Sequence, residues 1–151
     1  MVILMKNCCR YKFFSSLLIL LLTGLFLTAC QVASPITTTE NFLTDLQKEQ
    51  YLQATNLLAT QDTANNQPFL RDLNDQEKQA WQENTQKALG KVKQFNVQNT
   101  VPLSENELKP YGVKEGYQVF YFLESDLKGS QNLNGLIFRV NGAWKLLPPQ
   151  L

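Results

Sequence analysis

Between Phe13 and Ala29 the chain runs for 17 residues without a charge, FFSSLLILLLTGLFLTA. Lys6, Arg10 and Lys12 precede this run, and the first carboxylate of the chain is Glu40. A stretch this apolar cannot lie on the surface of a folded domain in water. A secretory signal has the same three parts: a basic start, an apolar core of roughly 7–15 residues, and small residues before a cut. Ser15, Ser16 and Thr23 dilute the core, which is slightly longer than usual. The competing reading is an uncleaved membrane anchor. A spanning helix needs about 20 apolar residues, and extending the run through Cys30 to Ala33 supplies them.

The run ends in Leu27-Thr28-Ala29-Cys30. This resembles the bacterial lipobox, an apolar residue and two small ones before a Cys. In that family the Cys thiol takes a diacylglycerol through a thioether. A peptidase then cuts before the Cys, and the new amino group is commonly acylated. The resemblance implies a signal peptide at 1–29 and a mature protein that starts at lipidated Cys30. Two or more acyl chains hold a protein on a membrane stably, at about 0.8 kcal/mol per buried CH₂. Gln31, and not Asp, follows the cut; in a Gram-negative cell this implies the periplasmic face of the outer membrane. In a Gram-positive cell the domain would stand outside the single membrane. Met5-Lys6 reads as an alternative translation start.

Removing residues 1–29 changes the composition. The whole chain has 151 residues, 14 Lys+Arg, 13 Asp+Glu and no His, for a net charge of +1. The export segment holds three basic residues and no acid, so 122 residues remain with 11 basic and 13 acidic side chains. That length fits one domain. A nucleic-acid binder needs a concentrated basic surface, so nucleic acid is not an expected partner. Cys8 and Cys9 fall in the export segment and Cys30 carries lipid. The mature chain is therefore expected to lack disulfides and thiolate metal sites.

Gln31–Thr39 is short, polar and contains Pro35, and reads as a tether over 30–39. A single domain is expected over 40–151. Thr37-x-x-Glu40 matches a capping box, and Phe42, Leu43, Leu46, Ala54, Leu57 and Leu58 recur at helical steps over about 40–60. Gln61–Gln67 reads as a polar break and Pro68–Leu73 as one helical turn. Asn74-x-x-Glu77 opens a second helix with Ala80, Trp81, Ala88 and Leu89 on one face, and Gly90 suits its end. From Lys91 the period becomes two. Phe95, Val97 and Val101 are expected inside, against Gln94, Asn96 and Gln98 outside. Pro102–Glu115 is expected to be a loop. Gly116–Ser125 is the strongest strand, with apolar residues on both faces, as when both faces are covered. Leu136–Val140, the Asn141-Gly142 turn signal and Ala143–Leu147 make a hairpin that pairs Arg139 with Trp144. The layout is α+β: two or three N-terminal helices packed on a curved four-stranded antiparallel sheet, cone-like in outline.

Trp81, Leu89-Gly90-x-Val92, Gly116-Tyr117-x-Val119-x-Tyr121 and Asn141-Gly142-x-Trp144-Lys145 occur in that order. The order resembles small secreted bacterial domains of the nuclear-transport-factor-2-like, cystatin-like superfamily. The resemblance implies helices wrapped by a curved sheet, and enzymatic members often place Asp, His or Tyr inside the cone. Here no His exists to fill that role. Glu124 with Asp126, and Glu105 with Glu107, are the paired carboxylates available for acid–base work; solvated loop charges are the plainer reading. Ser104 and Ser125 have no His base, and the seven glycines form no phosphate loop. No cofactor or metal is expected. Tyr117, Tyr121, Phe120, Phe122, Phe138, Trp81 and Trp144 are candidates to line a ligand pocket or, more simply, to fill the core. The expectation is a non-enzymatic, membrane-anchored binding or accessory module, held by lipid on Cys30 and meeting an unidentified envelope protein. The alternatives are a carboxylate-dependent hydrolase or isomerase, and a structural or stress component of the envelope without a small ligand.

Overall fold

The computed structural model describes residues 33–64 and 66–149. Cys30 and the expected lipobox and export segment lie outside the described residues. Helix α1 (Pro35–Gln47) begins five residues before Glu40, so the tether expected at 30–39 is cut short. The cause is local. Ser34 Oγ accepts from the Thr37 N–H at 3.1 Å, and Pro35 takes the first helical position. Thr38 and Thr39 are buried in this first turn. The helix expected over 40–60 is also broken. Glu49 adopts φ 59, Gln50 N–H returns to Asp45 O at 2.8 Å, and a separate short helix α2 (Tyr51–Thr55) follows.

The expected polar break and helical turn at 61–73 are strands. β1 (Ala59–Ala64) pairs antiparallel with β2 (Gln67–Asp72), and Asn66 turns the chain at φ 62. Helix α3 (Asp75–Leu89) then opens on the expected capping box. Asn74 Oδ1 accepts from Glu77 N–H at 2.9 Å, and Glu77 Oε2 accepts from Asn74 N–H at 2.7 Å. Gly90 ends α3 with φ 61.

Four antiparallel strands follow in the order β3-β4-β5-β6: Val92–Pro102, Gly116–Ser125, Gly129–Val140 and Ala143–Leu146. The expected α+β architecture with a curved four-stranded sheet is what the chain adopts. The register pairs Val140 with Ala143, Arg139 with Trp144 and Ile137 with Leu146, as the Asn-Gly turn dictates. Both turn residues take positive φ, 51 and 85. The expected loop at 102–115 contains one turn of helix, α4 (Glu105–Leu108), and a 3₁₀ turn at Lys109–Tyr111. A capping box between Ser104 and Glu107, absent from the sequence reading, starts it.

Two cores flank the sheet. On the inner face Phe42, Leu43 and Leu46 of α1, Tyr51 and Ala54 of α2 and Leu89 of α3 meet Val119, Tyr121, Leu123, Ile137, Trp144 and Leu146. On the outer face Phe138 and Val140 pack with Ala59, Leu70 and Leu108, beneath the β1–β2 hairpin and the α4 segment. Gly116 permits this second core: a Cβ there would come within 2.5 Å of the Phe138 ring. The cover stops there. Phe120 and Phe122, on the same outer face of β4, stay half-exposed, so the expectation that both faces of this strand are covered holds for one end of the sheet.

Candidate functional site

The alternation of β3 decides which side chains face the inner core and which face outward. Phe95 and Val97 face inward opposite Leu123 and Tyr121. A register shift between Val97 and Asn99 then inserts Gln98 as an extra residue. Thr100 takes the inward place opposite Val119, and Val101, expected inside, is 45% exposed. The same shift keeps Asn99 on the outer face with Asn96, although the two are three residues apart.

The seven aromatic candidates consequently do not converge. Tyr121 and Trp144 are buried in the inner core, with Trp81 and Tyr117 half-buried against it. Trp81 tilts over Phe42 at 5.8 Å between ring centroids, and Tyr117 meets Trp144 edge-on at 5.5 Å. Phe138 belongs to the outer core, 4.5 Å from Tyr111. Phe120 and Phe122 lie in neither. Burial alone pushes the Tyr121 hydroxyl up to about 12. Arg139 stands 5.8 Å over the Trp144 ring and also reaches Glu115 at 3.4 Å, an exposed cation–π contact.

The carboxylate pairs are separated by the length of β4, about 30 Å. Glu105 and Glu107 precede its first residue, and Glu124 and Asp126 are at its far end. Asp126 is tied to Lys93 Nζ at 2.9 Å. The Ser104 hydroxyl and N–H, both donating to Glu107, hold that carboxyl below its ordinary range. Ser125 is buried and its Oγ accepts from Lys128 N–H in the β4–β5 turn.

Two polar arrangements and one recess have no counterpart in the sequence reading. Arg71 donates to Asp62 at 2.9 Å and, through both terminal nitrogens, to Glu77 at 2.8 and 2.9 Å. This fork joins the β1–β2 hairpin to the start of α3. Lys145, the last residue of the Gly-x-Trp-Lys element, donates to Asn56 O and to Asp72, each at 2.7 Å, with its side chain 16% exposed. It ties β6 to the ends of α2 and β2. An open recess of about 480 Å³ lies over Leu103, Leu108 and Val113, rimmed by Glu105, Lys109 and Lys114. Leu108 is the one buried residue of its lining, so the recess is shallow. The signal for the fork was Arg71 preceding an Asn-x-x-Glu box, but its partner Asp62 is visible only once β1 and β2 are paired.

No family model matches the chain, and no curated protein matches it. Among solved structures it is similar to a candidate NTF2-like transpeptidase from Campylobacter jejuni. That similarity has a TM-score of 0.45 at 17% identity, over 76% of this chain and 98% of the other.

Proposed function

We propose that this protein is a lipid-anchored domain of the bacterial cell envelope that acts by binding, as an accessory module, and not by catalysis. The observation that carries the reading is the ordered series in the first thirty residues: Lys6, Arg10 and Lys12, the uncharged run Phe13–Ala29, then Leu27-Thr28-Ala29-Cys30. Cys30 stands four residues before Ser34, the cap of α1. Four residues span at most about 14 Å, so a lipid on Cys30 would keep the domain against the bilayer. With Gln31 after the cut, the Gram-negative site is the periplasmic face of the outer membrane.

The binding half of the reading is supported by where the chemistry sits. The carboxylates singled out for acid–base work are divided between the two ends of β4, and Glu107 and Asp126 are engaged by a helix cap and a lysine. A catalytic pair instead needs two carboxyl groups in one site with separated pKa values. The envelope partner is expected to be a protein. Labelling cells with an alkynyl palmitate tests the anchor. Label on the wild-type chain and its loss in Cys30→Ala, with release into the soluble fraction, is the expected result. Label retained in Cys30→Ala contradicts it. Crosslinking in cells then identifies the partner.

A further inference from the structure

We infer that the uncovered outer face of the sheet is a binding platform for an uncharged glycan chain. It rests on the binding reading above but not on the anchor. The register places two successive rungs side by side: Asn96, Phe122 and Asn132, then Asn99, Phe120 and Asn134. Each is an aromatic ring with an amide on either side. The four asparagines are exposed, and both rings are part-buried between them with one face open. None of these six side chains is charged, although 18% of the chain is. The bulge at Gln98 creates the second rung, because regular alternation would turn Asn99 inward.

The dimensions suit one or two sugar rings. Two rungs are about 7 Å apart along a strand, and two amide columns on either side of β4 are about 10 Å apart. Each Asn presents an acceptor and two donors, which match hydroxyl or acetamido groups in either direction. A phenyl ring between them offers a flat apolar surface to the C–H face of a pyranose. Gln98 Nε2 already reaches across β4 to Asn132 Oδ1 at 3.4 Å, a long bond that a sugar hydroxyl can replace. An anionic polymer would find no cation on these rungs, and a protein hot spot would be expected to hold Trp, Tyr or Arg. Recognition of oligosaccharides on an open sheet face is known from other β architectures.

The test is an NMR titration of the full-length, isotope-labelled chain in a sugar-free zwitterionic detergent, with chitotetraose and cellotetraose as probes. The expected result is saturable shift changes at residues 94–99, 118–124 and 130–136, with affinity reduced at least about tenfold in Phe122→Ala and in Asn132→Asp. Asn132→Asp alters an exposed side chain, so a wild-type melting temperature in that variant separates lost binding from lost folding. No shifts up to about 10 mM of either probe, or shifts confined to another surface, overturn the proposal. Concentration-dependent self-association through this face also overturns it, because a second copy would then be the occupant. None of these failures touches the Cys30 labelling result, which stands or falls by itself.

Discussion

Tyr121 and Phe122 are adjacent in β4 and point to opposite faces, so truncating each distinguishes core from surface. Tyr121 is 2% exposed, and Tyr121→Ala is expected to cost about 3–5 kcal/mol in urea denaturation. Phe122→Ala is expected to cost less than that, since its ring is only part-buried on the outer face. Tyr121→Phe keeps the packing and removes the hydroxyl. The folded pKa of Tyr121, about 12, lies above its ordinary value of 10.0. Its contribution to stability is therefore complete below pH 10 and is lost as pH rises toward 12. Burial and Glu49 also raise Tyr51, so absorbance titration at alkaline pH should show late-ionising tyrosine, of which the latest component is missing in Tyr121→Phe. The inward place of Tyr121 was legible from the period of β4. The outward place of Val101 was not, because alternation assumes an unbroken ladder and the extra residue Gln98 inverts it.

At the scale of elements, what the sequence announced depended on whether the signal was local. The capping box at Asn74 and the turn at Asn141-Gly142 involve contacts within a few residues, and both appear as read. The hairpin β1–β2 was missed because its strands carry few apolar residues; Ala59 and Leu70 seat it on the outer core, and Arg71 links it to Glu77 of α3. The first helix was displaced because two overlapping caps compete and Ser34-Pro35 prevails over Thr37-x-x-Glu40. Ser34→Ala is accordingly expected to lower stability by about 1 kcal/mol, and Glu40→Ala to leave it nearly unchanged, by thermal or urea melts. The Arg71 fork gives a pH test. Its hydrogen bonds hold Asp62 and Glu77 below 3.8 and 4.5, with backbone N–H groups adding to the effect. The stabilisation is therefore present above the unfolded-state values and is lost as pH falls through the lowered ones, below about pH 4. Melting temperature followed from pH 7 to 3 should fall at the acid end, and Arg71→Leu should flatten that part of the profile.

For the whole molecule, the sequence was read in two halves of different kind. The proposed export segment rests on charge and hydropathy along the chain alone, without any fold. The domain's α+β class followed from the change of period at Lys91, whereas the division of its aromatic residues between two cores and an open face required the three-dimensional register. That division leaves no single pocket for Tyr117, Tyr121, Phe120, Phe122, Phe138, Trp81 and Trp144, and most of them fill or flank the cores, the plainer of the two readings. It left an amide-flanked outer face in its place. The carboxylates singled out in the sequence, Glu105 with Glu107 and Glu124 with Asp126, stand at opposite ends of β4. The proposed anchor is central, because it would fix where any binding takes place. Mass spectrometry of the N-terminal peptide of the protein from cell envelopes tests it most directly. The expected peptide begins at Cys30 and carries a thioether-linked diacylglycerol. A peptide that runs unmodified across Ala29-Cys30 would contradict it.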